Sequence, residues 1–470
     1  VTTGAPARAG TRRMNPENRN MILAITLSMA VLFGWQMFVV GPELEKEAAM
    51  QQAIAEQEAA AAAASGDAPQ VDPDAVAGSA GAAATGQLSA SEAAPAVEAP
   101  RIVIDAPLVS GSISLAGLRV DDIMLKAYQE TQDPDSENIQ FLLKTSTAAP
   151  FFAEFGWASA DAAQPMPKSD SVWTASSMVL SPGSPVTLTW ENGNGLTFRR
   201  QLSINDDYMI TVDDSVESAL SAPLTLFPYG LVRRHGTPAT TGIYILHEGA
   251  LGVFDETLRE EDYDDMRDAD GGVSEIRPEM PGGWIGFTDK YWLAALLPDQ
   301  SANMNFAFKS LAGPSDRYQV DYIASEASVL PAGGVVSSQT RLFAGAKKVS
   351  LLDGYADELG IANFDLAIDF GWFYFLTKPF FYAINWLNSL LGNFGLAVLA
   401  FTIVVKIVFF PLANKSYRSM GKMRVLSPKI QEIRERHADD RMAMNQAMMA
   451  LYKEEKVNPA AGCLPVLLQI

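Results

Sequence analysis

Apolar and polar positions divide this chain into stretches with different periods. Residues 21–40, MILAITLSMAVLFGWQMFVV, are twenty consecutive positions without an ionisable group. As a helix they would span about 30 Å, one bilayer core. A cleavable signal carries a shorter apolar stretch with a small-x-small site close behind it. Here Gly41-Pro42-Glu43 follows and the nearest such triplet, Ala53-Ile54-Ala55, lies well downstream, so the segment reads as an uncleaved transmembrane anchor. A second apolar run, Phe394 to Leu412 (FGLAVLAFTIVVKIVFFPL), contains one charge, Lys406, and predicts a second transmembrane helix. Just before it, residues 371–391 hold eight aromatics, among them Trp372, Phe375, Phe381 and Trp386, mixed with Lys378, Pro379 and Asn385. Rings mixed with polar groups favour the headgroup boundary over hydrocarbon, which predicts an amphipathic interfacial helix leading into the span.

Between these stretches the period changes. Residues 101–345 break into short runs such as RIVID, SISLAGLRV, NIQFLLKT, PVTLTW, LTFRRQLSI and YMITVDDSV, separated by Gly, Pro, Asn and Asp. Asn192-Gly193-Asn194-Gly195 between two of them is a hairpin signal. Many strands without intervening helical patterns predict one all-β sandwich or barrel domain. Residues 41–100 are first Glu-, Gln- and Ala-rich, then Ala, Gly, Ser, Pro and Asp with little to bury, a disordered linker. Residues 346–370 read as a short helical connector. Residues 413–456 read as two helices, with apolar stripes at three- and four-residue steps joined near His437-Ala438-Asp439-Asp440, where a carboxylate can cap the second. Ser427-Pro428 is expected to reset or kink the first. Residues 1–13 resemble a tag ahead of Met14. The apolar run from Cys463 stops too early to cross a bilayer, so residues 457–470 read as the start of another transmembrane helix in a chain truncated there.

Charge orients this layout. The 470 residues carry a net charge of −20, but residues 41–370 hold 48 acidic and 19 basic groups, whereas residues 413–456 hold ten basic and six acidic. Basic residues flank both spans on one side, so residues 1–20 and 413–456 are expected in the cytoplasm and the β domain outside. The acidic balance argues against direct nucleic-acid binding. A lone cysteine and three scattered histidines offer no metal cage, and nucleotide-binding, zinc-protease and hydrolase motifs are missing, so neither a cofactor nor a catalytic residue is expected. The acidic run Glu260-Glu261-Asp262-Tyr263-Asp264-Asp265 lacks the EF-hand pattern and reads as a solvated loop.

Two features carry possible chemistry. Lys406 stands twelve positions into its span, about 18 Å from the outer end. A charge at that depth costs on the order of 2.5–3.5 kcal/mol by insertion scales. It either snorkels to the cytoplasmic face or faces a wet cavity, and the physics leaves both open. Six methionines (Met420, Met423, Met442, Met444, Met448, Met449) crowd the predicted hairpin. They could be hairpin packing, or an adaptable surface for varied apolar helices, since thioethers repack easily.

The C-terminal motifs identify a family. Lys406 with Phe410-Pro411-Leu412, Ser419-Met420-Gly421-Lys422-Met423-Arg424, Pro428-Lys429-Ile430-Gln431, Met448-Met449-Ala450-Leu451-Tyr452-Lys453, and Asn458, Pro459, Gly462, Cys463, Pro465 and Gln469 resemble the YidC/Oxa/Alb membrane protein insertases. The layout of span, large β domain, aromatic helix and span resembles the Gram-negative form. The resemblance implies a multi-pass protein of the bacterial inner membrane with a periplasmic β-supersandwich, an α-helical insertase bundle enclosing a hydrophilic groove, and a cytoplasmic helical hairpin. It implies a non-enzymatic insertase and chaperone for nascent integral membrane proteins, acting alone or with the Sec translocon, with the ribosome and the lipid bilayer as further partners. By position Lys406 would be the groove cation, where the family more often has arginine; lysine keeps the charge but lacks the bidentate fork. The methionine-rich hairpin would receive substrate or ribosome. Two rivals share the layout: a two-span sensor with an external ligand-binding β domain, and a membrane-anchored carbohydrate-active or carbohydrate-binding protein.

Overall fold

The computed structural model describes residues 99–455, apart from 134, 160, 162, 241–245, 312–315, 372 and 438–439. The expected anchor at 21–40, nearly all of the linker, Trp372 and the motif at 457–470 lie outside the described residues.

Period-2 patterning from Arg101 onward produces two facing sheets, of eleven and nine strands among the described residues. The larger is centred on Leu224–His235, which pairs with Phe151–Ser159 on one side and Arg317–Ala324 on the other. The smaller is centred on Val335–Ala346, between Met209–Ser218 and Trp292–Leu297. RIVID and LTFRRQLSI form strands with the expected ends, Arg101–Asp105 and Leu196–Ile204. SISLAGLRV instead divides between Val109–Ser114 and Val120–Gln129, because Gly117 and Leu118 take positive φ and turn the chain. At the predicted hairpin, Asn192 Oδ1 accepts from the backbone N–H groups of Asn194 and Leu196, and Gly193 and Gly195 supply φ of 72° and 90°. That chemistry sets the register of Glu191 opposite Thr197.

The core lies between the sheets. Phe151 meets Phe287 at 6.3 Å and Phe254 meets Phe306 at 4.8 Å between ring centroids, each pair crossing from one sheet to the other. Each such ring stabilises the fold by roughly 1.5–3 kcal/mol relative to exposure. A charged pair interrupts this layer. Arg200 and Asp214 face each other across neighbouring strands at inward positions. The guanidinium grips the carboxylate through Nε at 2.6 Å and Nη2 at 2.7 Å, and Nη2 also donates to the Phe155 carbonyl of the opposite sheet at 2.9 Å.

The acidic run at 260–265 is not a loop. Thr257–Asp262 is an edge strand on Gly249–Phe254, and helix α1 (Tyr263–Asp268) follows it directly. His247 Nδ1 lies 3.1 Å from Asp262, and Arg267 bonds Asp264 at 2.6 Å, so two of the acids already have partners.

Residues 346–370 do more than connect. Helix α2 (Val349–Leu359) and a 3-10 turn at Phe364–Ala367 seal one end of the β core, with Leu352 and Phe364 fully buried. Phe364 packs edge-on against Trp284 at 5.3 Å and Phe343 at 5.7 Å, and Trp284 Nε1 donates to the Ala362 carbonyl at 3.2 Å. Three helices follow: α3 (Tyr374–Leu391), α4 (Phe394–Arg436) and α5 (Arg441–Glu454).

Candidate functional site

Local sequence sets the α3–α4 turn. Gly392 takes the left-handed conformation with φ 65° and its N–H donates to the Asn388 carbonyl, ending α3. Asn393 then caps α4, its side chain accepting from Leu396 N at 3.1 Å. With only Gly392 and Asn393 between the two helices, α3 packs back on the start of α4, where Phe380 meets Phe401 edge-on at 5.1 Å. Among the described residues α3 has no buried side chain, and Phe373, Phe375, Tyr382, Trp386 and Leu390 are exposed. A contiguous apolar surface of that kind marks contact with lipid or with another apolar partner.

Five residues tie α3 to the β domain. Lys378 Nζ lies 3.0 Å from Asp353 on α2 and 2.5 Å from Asp365 in the 3-10 turn, and donates to the Tyr374 hydroxyl at 2.9 Å. The Tyr374 hydroxyl donates to Asp365 and the Tyr382 hydroxyl to Asp353. Partial burial disfavours the ammonium, but its hydrogen bonds to Asp365, Tyr374 and Asp353 outweigh that and hold the Lys378 pKa above its usual range. Burial likewise opposes ionisation of Asp365, and the hydrogen bonds from Lys378 and Tyr374 reverse the effect, so its carboxyl sits below the ordinary 3.8. Along the sequence Lys378 is one polar group in an aromatic stretch. Its partners are 25 and 13 residues away and share no local pattern with it.

Helix α4 is continuous for 43 residues, about 65 Å. Among the described residues it is the one helix long and apolar enough to cross a bilayer. The expected break after Leu412 does not occur: the span and the first hairpin helix are one element, running through Pro411 and Pro428. Each proline removes one N–H donor, from the carbonyls of Ile407 and Arg424, and the helix tolerates both losses. Lys406 is exposed on this helix. At about 100° per residue, Thr402, Lys406 and Tyr417 fall within about 60° of arc; between Phe394 and Leu412 Lys406 is the single charge, whereas Asn414, Lys415, Ser416 and Arg418 make the following turn polar around the helix. Thr402 Oγ1 donates to the Val398 carbonyl at 2.8 Å, which satisfies its hydroxyl without water.

Helix α5 turns back on α4. A carboxylate is expected to cap α5 from the break at 437–440, and Asp440 does so, accepting from Met442 N and Ala443 N at 3.0 Å each. Leu426 and Leu451 are the buried contact, with Met423, Ile430 and Ile433 packed around them. The methionines therefore divide. Met423 belongs to the packing, Met444 and Met448 are half-buried, and Met442 and Met449 are exposed at 75% and 66%. The side chain of Met420 is outside what is described. Among the residues with described side chains, Lys406 and the hairpin methionines lie on separate parts of the helices, 17 or more positions apart, and Asn458, Pro459, Gly462, Cys463, Pro465 and Gln469 are outside the described residues.

Comparison with known proteins agrees with this division into β and helical parts. The family described as YidC periplasmic domain matches residues 101–383, and the family described as 60Kd inner membrane protein matches residues 386–470, so the two meet within α3. A protein from Beijerinckia indica named membrane protein insertase YidC is 45% identical over 97% of this chain and 75% of its own length. One of the same name from Methylobacterium sp. strain 4-46 is 44% identical over 97% of this chain and 76% of its own. Matched along nearly all of its residues, the chain belongs to the YidC family of membrane protein insertases.

Proposed function

We propose that this protein inserts membrane proteins by shortening the dry path that a client's polar flank must cross, with Lys406 as the cation of a water-filled groove. The observation that carries the reading is the exposed Lys406 within the apolar stretch Phe394–Leu412 of α4, a charge whose cost in lipid a wet groove would remove if α4 crosses the membrane. In this arrangement the N-terminal anchor and α4 span the inner membrane, and the β domain lies in the periplasm. Helix α3 sits at the periplasmic headgroups, and the lower part of α4 with α5 forms the cytoplasmic hairpin. Exposed aromatics on α3 and the basic excess in residues 413–456 support that orientation.

The energetics need no nucleotide. A client span of about twenty residues gains on the order of 6–12 kcal/mol on entering lipid, at roughly 0.3–0.6 kcal/mol per apolar residue. The obstacle is its polar flank, because each unsatisfied backbone group in hydrocarbon costs several kcal/mol. A half-depth wet groove removes part of that distance, and the lysine draws acidic flanks into it. A membrane potential adds about 2.3 kcal/mol per charge per 100 mV. Met442 and Met449, exposed at the hairpin, would meet apolar client segments first, with the ribosome and the Sec translocon as partners in delivery and release.

Lys406→Glu tests the groove. It should impair insertion of clients with acidic translocated tails several-fold more than clients with neutral tails. Equal impairment of both would discard charge attraction. The sensor and sugar-processing readings lose their ground to the family membership.

A further inference from the structure

Where α3 passes the β domain, an open cavity of about 540 Å³ lies between them. Its floor is cationic. Lys290 comes from the turn between strands Trp284–Thr288 and Trp292–Leu297, and Lys347 and Lys348 from the junction of the last strand with α2. The backbone ties these together, since Lys347 N donates to the Tyr291 carbonyl at 2.9 Å. Its outer wall is Phe381 and Asn385 of α3, next to the exposed Trp386.

Three lysines against one lining carboxylate, Asp369, are unusual in a stretch where acids outnumber bases 48 to 19. Two of the other acids nearby are already bonded. Asp289 bonds Arg234 at 2.7 Å, and Glu248 accepts from the Lys290 backbone N–H at 3.1 Å. Lys347 donates to Thr288 Oγ1 at 2.7 Å. Burial pushes its ammonium down to about 8 even though Asp289, Glu248, Asp369 and Glu260 oppose the shift. An anion entering the cavity would relieve that cost.

We propose that this cavity binds the phosphate of an anionic glycerophospholipid headgroup, with Lys290 and Lys348 as its charged contacts and Phe381 beside the glycerol and acyl chains. The chemistry recognised is a phosphodiester anion, and the apolar wall favours a lipid over a soluble phosphate. The inference rests on reading α3 as a headgroup-level helix. It adds a function for the β domain, which holds α3 and the start of α4 against a chosen lipid.

The test uses the whole chain in detergent with phosphatidylglycerol or phosphatidylcholine, read by native mass spectrometry. The parent should retain phosphatidylglycerol in preference to phosphatidylcholine, and the double variant Lys290→Gln/Lys348→Gln should lose about thirtyfold in that retention. The Lys290→Arg/Lys348→Arg variant should keep it, which separates lost charge from lost fold. Equal retention by parent and Gln variant overturns the site, and so does displacement of the lipid by excess inorganic phosphate, since the ligand would then be the free anion. The placement of α3 is read separately in vesicles. Quenching by headgroup-attached spin labels should fall when Trp386 is replaced by Phe. No fall would refute the position of α3, whereas a fall together with unselective lipid retention would refute the lipid site alone.

Discussion

Lys378→Met removes the one cation that joins α3 to the β domain while keeping a side chain of similar length. In the parent, Nζ contacts Asp365 at 2.5 Å and Asp353 at 3.0 Å, with side-chain exposures of 18% for the lysine and 13% and 24% for the two acids. Hydrogen bonds between charged groups contribute about 1.5–3 kcal/mol each when desolvated. Partial exposure reduces that, and the tyrosine hydroxyls still serve both carboxylates in the variant. A net loss of about 2 kcal/mol is expected, confined to the docking of α3. In native-state hydrogen exchange this corresponds to roughly thirtyfold faster exchange in peptides covering residues 349–391, with the strands of the β sandwich unchanged. Asp365→Asn added to Lys378→Met should cost much less than the same change in the parent, because the partners act as one network. A change under about threefold, or equal acceleration throughout the β domain, would refute the idea of a local electrostatic joint.

The remaining predictions concern pH, the core and the hairpin. Asp365 has a depressed pKa when folded, so its contribution is fully present above the ordinary 3.8 and is lost as pH falls through its folded value; Lys378, with a raised pKa, contributes fully below its ordinary 10.5 and less as pH rises past it. Docking of α3, followed by exchange corrected for intrinsic rates, should therefore be flat near neutrality and weaken in acid, and a joint that instead tightens in acid would contradict the assignment. Asp214→Ala leaves Arg200, 4% exposed, without its bidentate partner, and should destabilise the β domain by about 3–5 kcal/mol in denaturant titration; a loss below about 1 kcal/mol would mean that water reaches the guanidinium. Met423→Ala should loosen the α4–α5 contact by about 1 kcal/mol, whereas Met442→Ala with Met449→Ala should leave it intact and lower client crosslinking. If the exposed pair unfolds the hairpin instead, its role is packing.

Much of this protein was determined by local order in the chain. Alternation of period 2 defines strands such as Leu196–Ile204, Asn192 with two glycines makes its hairpin, Gly392-Asn393 ends one helix and starts the next, and Asp440 caps α5. Those signals act within a few residues; the strand, the hairpin and a capping carboxylate are legible along the chain, whereas the Gly392-Asn393 turn shows only in the structure. The same alternation placed Arg200 and Asp214 facing inward, though not opposite each other, because register depends on which strands pair. Tertiary structure alone decided that Lys378 meets Asp353 and Asp365, that Lys290, Lys347 and Lys348 line one cavity beside α3, and that residues 346–370 close the β core. Helix α4 also runs unbroken through two exposed prolines, placing Lys406 and Tyr417 on one face. The first three outcomes depend on groups far apart in sequence, and the last on a helix that continues where local preference would end it. Neither leaves a periodic trace in the residues themselves.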